Sequence, residues 1–159
     1  MIPQTPLEIV LEFASLAGLL FSWAVLIKNW ARIPDIAPIH FDITGKPDRV
    51  ARRRWLFIVP VVALILYVGL GLVRGMDPRS MNYPVAITSE NAELQFAIGR
   101  SVVTSLRVVV LIFLAYLNLS IVRVSTGKKP GLGVLLLPVF MLILFTTIGA
   151  HIAMAYSAR

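Results

Sequence analysis

The chain has no cysteine and only two histidines among its 159 residues. The absence of cysteine excludes disulfides, thiol catalysis, cysteine-based zinc sites and S-palmitoylation. The sequence also lacks a phosphate-binding glycine-rich loop, the H-E-x-x-H and G-x-S-x-G motifs, internal repeats and low-complexity segments. Because so few side chains are suited to acid, base or nucleophilic chemistry, we expect no enzymatic activity, no cofactor and no metal.

Charge is also scarce, at 14% of the residues, whereas soluble domains carry about a quarter. Hydrophobic residues make up 58% of the chain, and the mean hydropathy is +0.84. The net charge of +7 would suggest nucleic acid as the partner of a soluble protein. Here most Lys and Arg residues flank apolar stretches, where membrane topology and anionic headgroups account for them. We therefore expect a lipid bilayer as a partner and no nucleic acid.

Long apolar runs are the dominant feature of the chain. Each has about the 20 residues that a helix needs to cross a hydrocarbon core of roughly 30 Å. The four runs lie at about residues 7–27, 55–73, 101–122 and 132–156. They predict an all-α integral membrane protein, a four-helix bundle, formed as a single membrane domain over residues 1–159.

The segment before the first run contains two acids, Glu8 and Glu12, and no basic residue. It lacks the basic region of a secretory signal peptide, so we expect the first helix to be retained. Pro3 and Pro6 predict a short non-helical lead-in, with Thr5 as the N-cap of the first helix.

Two further patterns refine the helices. Ala14, Gly18 and Ser22 recur every four residues and allow close approach of another helix, either within the bundle or in a homodimer. Ser89, followed by Glu93, predicts that the third helix begins before its apolar run and extends over residues 89–124.

Basic residues are distributed unevenly between the two sides of such a bundle. The loops at 28–54 and 123–131 carry ten Lys and Arg residues near the helix ends, and the other side carries four. The positive-inside rule therefore predicts that these two loops are cytoplasmic and that both termini are outside.

The first loop, residues 28–54, has the pattern of a structured segment. Its three prolines disfavour helix in the residues before them, so we expect a stiff, extended strand and then a turn at 44–47. His40 and Asp42 would share one face of this strand. The opposite face, which we expect to lie against the bundle or in the membrane interface, would carry three apolar side chains: Ile39, Phe41 and Ile43.

The same loop carries a resemblance to a known family. The matching residues are Trp30, Ile33-Pro34, Pro38-Ile39-His40-Phe41, Gly45 and Pro47-Asp48-Arg49, followed by a basic cluster that opens the second helix. Together they resemble the bacterial membrane family called domain of unknown function 1648, which also forms the N-terminal part of SdpI-type immunity proteins. The resemblance implies a multi-pass protein of the bacterial cytoplasmic (inner) membrane without established enzymatic activity.

Two interpretations of the loop's polar residues stay open. His40 and Asp42 could hydrogen-bond each other or the loop backbone; as metal ligands they would need at least a third partner. Alternatively, the loop recognises a membrane-protein or peptide partner. The residues assigned to this partner-binding hypothesis are Pro38, His40, Phe41, Asp42, Gly45, Pro47 and Asp48.

Three polar residues, Arg100, Arg107 and His151, lie near or within the apolar runs. Arg107 could extend its side chain to the headgroups, or Arg100 and Arg107 could line a polar groove for an anionic ligand. His151 could be satisfied by neighbouring polar groups, or it could relay protons with Glu8 or Glu12, which the topology places on the same side.

The sequence thus favours a non-enzymatic membrane protein that acts by binding, in an accessory, immunity-like or signal-linked role. The alternative is a small transporter or ion-conducting unit, which would need to oligomerise to enclose a pathway. A polar stripe that runs continuously through the bundle would favour the alternative.

Overall fold

The computed structural model describes residues 5–159. Its helices are α1 (Pro6–Asn29), α2 (Ile58–Arg74), α3 (Ala92–Ser125) and α4 (Leu136–Ser157), and α1 is followed by an antiparallel hairpin of β1 (Ile36–Phe41) and β2 (Pro47–Arg52). With the 3-10 turn Arg53–Phe57 that leads into α2, all four helices are long and apolar enough to cross a membrane. The predicted four-helix membrane bundle with a structured first loop is confirmed.

The start of α1 follows the sequence closely. The Thr5 hydroxyl accepts a hydrogen bond from the Glu8 backbone N–H at 3.2 Å, and the Glu8 carboxylate accepts one from the Thr5 N–H at 2.8 Å. This capping box, with Pro6 in the first turn, satisfies free N–H groups at the helix end. The prediction of Thr5 as N-cap is confirmed, while Pro3 of the predicted lead-in lies outside the described residues.

The other helix starts differ from the predictions for local reasons. α3 begins at Ala92 rather than at Ser89, and residues 89–91 form a turn just before it. Reciprocal hydrogen bonds of 2.9 and 3.3 Å between Thr88 and Asn91 close this turn. α4 begins at Leu136 rather than at residue 132, because Gly133 adopts a positive φ of 95° that ends the preceding turn. With 34 residues, α3 is about 50 Å long and exceeds the hydrocarbon thickness.

The helices α1, α2 and α3 pack against one another, and α4 packs mainly against α3. An apolar layer of Leu19, Ala63 and Leu111 lies in the middle of the three-helix core. A Cβ on Gly18 would lie 3.3 Å from the Leu111 backbone, so the small side of α1 lets α3 approach closely. Of the two interpretations of this stripe, the structure shows packing within the bundle.

The hairpin is fixed to the end of the bundle from which the strands emerge, which we call the hairpin end. Ile33 and Ala37 are buried in an apolar cluster with residues of α1 and α3. The Arg53 guanidinium donates hydrogen bonds to the carbonyls of Trp30 and Ile33, at 3.1 and 3.0 Å, and lies 4.8 Å from the centroid of the Trp30 ring. Arg53, a member of the basic cluster before α2, therefore connects the end of the hairpin to the end of α1.

The hairpin differs from the regular alternation of side chains that the sequence predicts for the first loop. Its register shifts on both sides of His40, so the side chains do not alternate regularly. Phe41 packs against the apolar cluster as expected, but Ile39 is exposed, and Ile43, in the turn, is 93% exposed. Of the two alternatives for this face, packing against the bundle holds for Phe41 but not for Ile43, which the turn directs outward; a position of Ile43 in the membrane interface stays a prediction.

Candidate functional site

Two regions of the structure contain the side chains that the sequence singles out. One is the hairpin surface, the exposed face of residues 36–52. The other is a group of charged residues between α1, α2 and α3 at the end of the bundle opposite the hairpin, which we call the charged cluster. It consists of Glu8, Glu12, Arg74, Arg100 and Arg107.

Asp42 organises the turn of the hairpin. Its Oδ1 accepts hydrogen bonds from the Thr44 hydroxyl at 2.7 Å, from the Thr44 N–H at 2.8 Å and from the Lys46 N–H at 2.9 Å. The bond from the Thr44 hydroxyl, followed by that from the Lys46 backbone, lowers the pKa of Asp42 below its ordinary value. Asp42 therefore acts first as a structural residue that shapes the tip.

His40 pairs with Asp48 on the neighbouring strand rather than with Asp42. The distance from His40 Nδ1 to Asp48 Oδ1 is 2.6 Å, and both side chains are exposed. Because an ionised carboxylate can only accept hydrogen bonds, Nδ1 carries the proton of this pair. Among residues 5–159 no group of three His, Asp or Glu side chains is placed to hold a metal ion.

The residues of the partner-binding hypothesis differ in accessibility. His40, Asp42, Pro47 and Asp48 are exposed, and Pro38 is half-buried. Phe41 packs against the bundle, and Gly45 is buried against the loop that precedes α4. The hypothesis did not include three well-exposed apolar side chains of the same hairpin: Ile36, Ile43 and Val50.

Arg107 lies inside the bundle and does not extend to the headgroups. Its side chain is only 7% exposed. One guanidinium nitrogen, Nη1, donates to Glu12 Oε2 at 2.6 Å, and the guanidinium lies 3.8 Å from the centroid of the Tyr67 ring. The guanidinium fits beside α2 because Gly71 has no side chain there. Of the two interpretations of Arg107, extension to the headgroups is therefore wrong.

The other arginines of the charged cluster are paired in the same way. Arg100 Nε donates to Glu8 Oε1 at 2.9 Å. Arg74 Nε donates to the Thr104 hydroxyl at 2.9 Å and lies 3.3 Å from Glu12 Oε1. Glu12 thus faces cations from both α2 and α3, and the cluster fastens the three core helices to one another.

By their positions in the sequence, Glu8 and Glu12 are acids of a helix start and candidate partners of His151. The residues that pair with them were visible as a pattern. Glu8 and Glu12 are four positions apart on one helix, and Arg100 and Arg107 are seven positions apart on another that runs in the same direction. Both spacings place like charges on one face, so the two faces complement each other.

His151 joins α4 to α3. Its Nδ1 lies 2.8 Å from the Thr147 carbonyl oxygen and must donate to it, because a carbonyl can only accept. In a neutral imidazole, Nε2 then accepts from the Ser101 hydroxyl, whose oxygen lies 3.3 Å away. Within the described part of the chain no carboxylate is hydrogen-bonded to His151, so its arrangement is that of a residue satisfied by polar neighbours.

The polar groups do not form a continuous stripe along the core. Towards the hairpin end, Asn118 Nδ2 donates to the Ser22 carbonyl at 2.7 Å. Between this pair and the charged cluster lies the apolar layer of Leu19, Ala63 and Leu111. Along the described core of α1, α2 and α3, an apolar layer therefore separates the Ser22–Asn118 pair from the charged cluster.

Four spanning helices with a hairpin fixed to one end define this chain as a multi-pass membrane protein. Residues 17–64, just under a third of the chain, match the family described as Domain of unknown function (DUF1648). The predicted resemblance to this domain is confirmed, and the matched segment runs from the middle of α1 through the hairpin into α2. Neither a curated protein nor a solved structure matches the chain.

Proposed function

We propose that this protein is a non-catalytic protein of the bacterial cytoplasmic membrane that acts by binding a membrane-protein or peptide partner through the hairpin surface. Its role would be accessory, immunity-like or signal-linked. The observation that carries the proposal is a hairpin that is rigidly attached to the bundle and yet presents apolar side chains outward.

The attachment means that the exposed face has a fixed shape. The hairpin is held by buried Ile33 and Ala37, by the hydrogen bonds of Arg53 and by the Asp42 turn. A preformed surface loses little conformational entropy when it binds.

The exposed face combines apolar contacts with charge. Ile43 is 93% and Val50 is 64% exposed, and the His40–Asp48 pair lies on the same hairpin. Arg49, next to Val50, is exposed as well. Apolar residues surrounded by polar ones are typical of protein contact surfaces. The ten basic residues of the hairpin end support a cytoplasmic location for this surface.

The alternative function is transport or ion conduction by an oligomer. A pathway through a single copy would need polar groups along the whole core, whereas Leu19, Ala63 and Leu111 separate the two polar regions of the described residues. This arrangement supports the binding proposal over a pathway within one chain.

Site-specific photo-crosslinking in cells tests the proposal. We expect a crosslinker at position 43 or 50 to capture one reproducible protein or peptide, because both positions are exposed on the hairpin surface. A crosslinker at position 87, an exposed apolar position in the loop between α2 and α3, serves as the matched control and should not capture the same species.

Substitutions then distinguish residues that would contact the partner from a residue that maintains the conformation of the hairpin turn. We expect Ile43→Ser and His40→Ala to reduce partner recovery while the protein reaches the membrane in normal amounts. Asp42→Ala should have the same effect by releasing the turn. Unchanged partner recovery in all three variants would contradict the proposal, as would crosslinking at positions 43 and 50 to lipid alone.

A further inference from the structure

The helices α3 and α4 form an apolar groove of about 710 Å³ that reaches the loop between them. Its walls consist mainly of aliphatic and aromatic side chains: Ile112, Phe113 and Tyr116 of α3, with Val139, Phe140 and Ile143 of α4. Several of these residues are about half exposed, so no other part of residues 5–159 covers the groove. In a membrane it opens towards lipid.

One end of the groove carries a positive charge. Lys129 is the one charged residue of its lining, and its ammonium lies 5.8 Å from the centroid of the Tyr116 ring. It has no ion pair with a carboxylate among residues 5–159. The neighbouring residues Val134 and Leu135 are exposed and apolar, and we expect this loop, with its lysines beside the start of α4, to lie in the membrane interface.

The hairpin brings a second lysine, Lys46, close to the loop that precedes α4. The Leu132 N–H donates to the Gly45 carbonyl at 2.8 Å, and a Cβ on Gly131 would lie 2.5 Å from that oxygen. This close glycine contact fixes Lys46 beside a smaller cavity of about 490 Å³, whose lining shares Gly133 with the apolar groove.

We propose that this groove binds one anionic phospholipid, with an acyl chain between α3 and α4 and the phosphate near Lys129 and Lys46. Charge complementarity identifies the occupant. The hairpin end of the molecule carries ten basic and three acidic side chains, which attract an anionic headgroup. A second copy packed in the same orientation would instead bring these like charges together.

The experiment uses the full chain purified in detergent micelles and two lipids with identical acyl chains, dioleoylphosphatidylglycerol and dioleoylphosphatidylcholine. Native mass spectrometry counts the retained lipids at each lipid concentration. We expect one retained phosphatidylglycerol per chain, bound more tightly than phosphatidylcholine. Lys129→Gln should weaken phosphatidylglycerol binding about five-fold, the contribution of one basic residue near a membrane surface, and leave phosphatidylcholine binding unchanged.

Two further variants keep the test specific. Arg123→Gln removes an exposed charge close to the same loop but outside the groove lining, so lipid binding should not change. Ile112→Trp narrows the groove and should weaken binding of both lipids. Equal losses in Lys129→Gln and Arg123→Gln would show general charge attraction and overturn the proposal.

Two further measurements distinguish a bound lipid from two other possible occupants of the groove, a free phosphate and a second copy of the chain. Glycerol phosphate, which has the headgroup chemistry without acyl chains, should not compete with the lipid. Because the chain contains no cysteine, Ile112→Cys allows specific disulfide crosslinking. Efficient formation of a dimer through this position, with no retained lipid, would assign the groove to a second copy and refute lipid binding.

Discussion

Replacing Glu12 by Gln removes the one carboxylate that faces both Arg74 and Arg107. The substitution keeps the size of the side chain and changes its charge. Arg107 would lose a hydrogen bond of 2.6 Å to an anion, and Arg74 would lose an opposite charge 3.3 Å from its Nε. Two guanidinium groups would then remain between the helices with no carboxylate between them.

The magnitude follows from the burial of the partners. Removing one member of a buried ion pair costs about 3–5 kcal/mol, and an arginine at the centre of a spanning helix costs about 2.5–3.5 kcal/mol on insertion scales. Arg107 is only 7% exposed, but Glu12 is 24% exposed, so water partly reaches the pair. We therefore expect the lower part of the first range, a loss of about 3 kcal/mol in the free energy of unfolding.

Unfolding of the purified protein by sodium dodecyl sulfate, followed by helical circular dichroism, measures this loss. Glu93→Gln is the matched control, because Glu93 is an exposed acid at the same end of the bundle and should change stability by less than about 0.5 kcal/mol. The double variant Glu12→Gln with Arg107→Met should be more stable than Glu12→Gln alone, since apolar groups can replace a buried pair at little cost.

Two results would refute this reasoning. If Glu12→Gln were no more destabilising than Glu93→Gln, the charged cluster would not hold the three helices together. If the double variant were less stable than Glu12→Gln alone, the unpaired charge of Arg107 would not be the cause of the loss.

Two predictions concern the hairpin. Gly131→Ala should destabilise the protein by about 1–3 kcal/mol, because its Cβ would lie 2.5 Å from the Gly45 carbonyl oxygen. Gly69→Ala is the control and should be neutral or stabilising, because no atom lies within 4 Å of a Cβ at that position. Thermal unfolding of the two variants tests this, and equal changes in stability would contradict the close contact at Gly131. The hydrogen bond from the Thr44 hydroxyl lowers the pKa of Asp42 in the folded protein. The ionised carboxylate therefore stabilises the turn fully above the ordinary carboxyl pKa of about 3.9, and this stabilisation is lost as the pH falls through the lowered pKa of the folded state. Hydrogen exchange of the hairpin amides, corrected for intrinsic rates, should therefore accelerate in strong acid, and an identical pH profile in Asp42→Ala would argue against this role.

The spanning helices were predictable because each is specified by its own composition. A run of about 20 apolar residues satisfies its backbone internally and needs no knowledge of its neighbours. The capping box of Thr5 and Glu8 is equally local, since its two members are three positions apart. The predicted start of α3, Ser89, lies three residues before the observed one, in the turn that Thr88 and Asn91 close.

The charged cluster depends on which helices become neighbours, and hydropathy does not contain that information. Glu12 and Arg107 are 95 positions apart, and each alone resembles a residue near a membrane surface. The irregular register of the hairpin has a similar origin. Its shifts around His40 arise from the pairing of two strands, whereas strict alternation assumes one regular strand.

The separation of these partners along the chain also has a consequence for biosynthesis. At about 5–20 residues per second, roughly 5–20 s pass between the synthesis of Glu12 and that of Arg107. Arg74 is made earlier and is the first cation of the cluster available to the carboxylate of α1. The charge of Glu12 can therefore be paired first by Arg74 of α2 and only later by Arg107 of α3. The ion pairs of α1 are complete only after α3 has been synthesised.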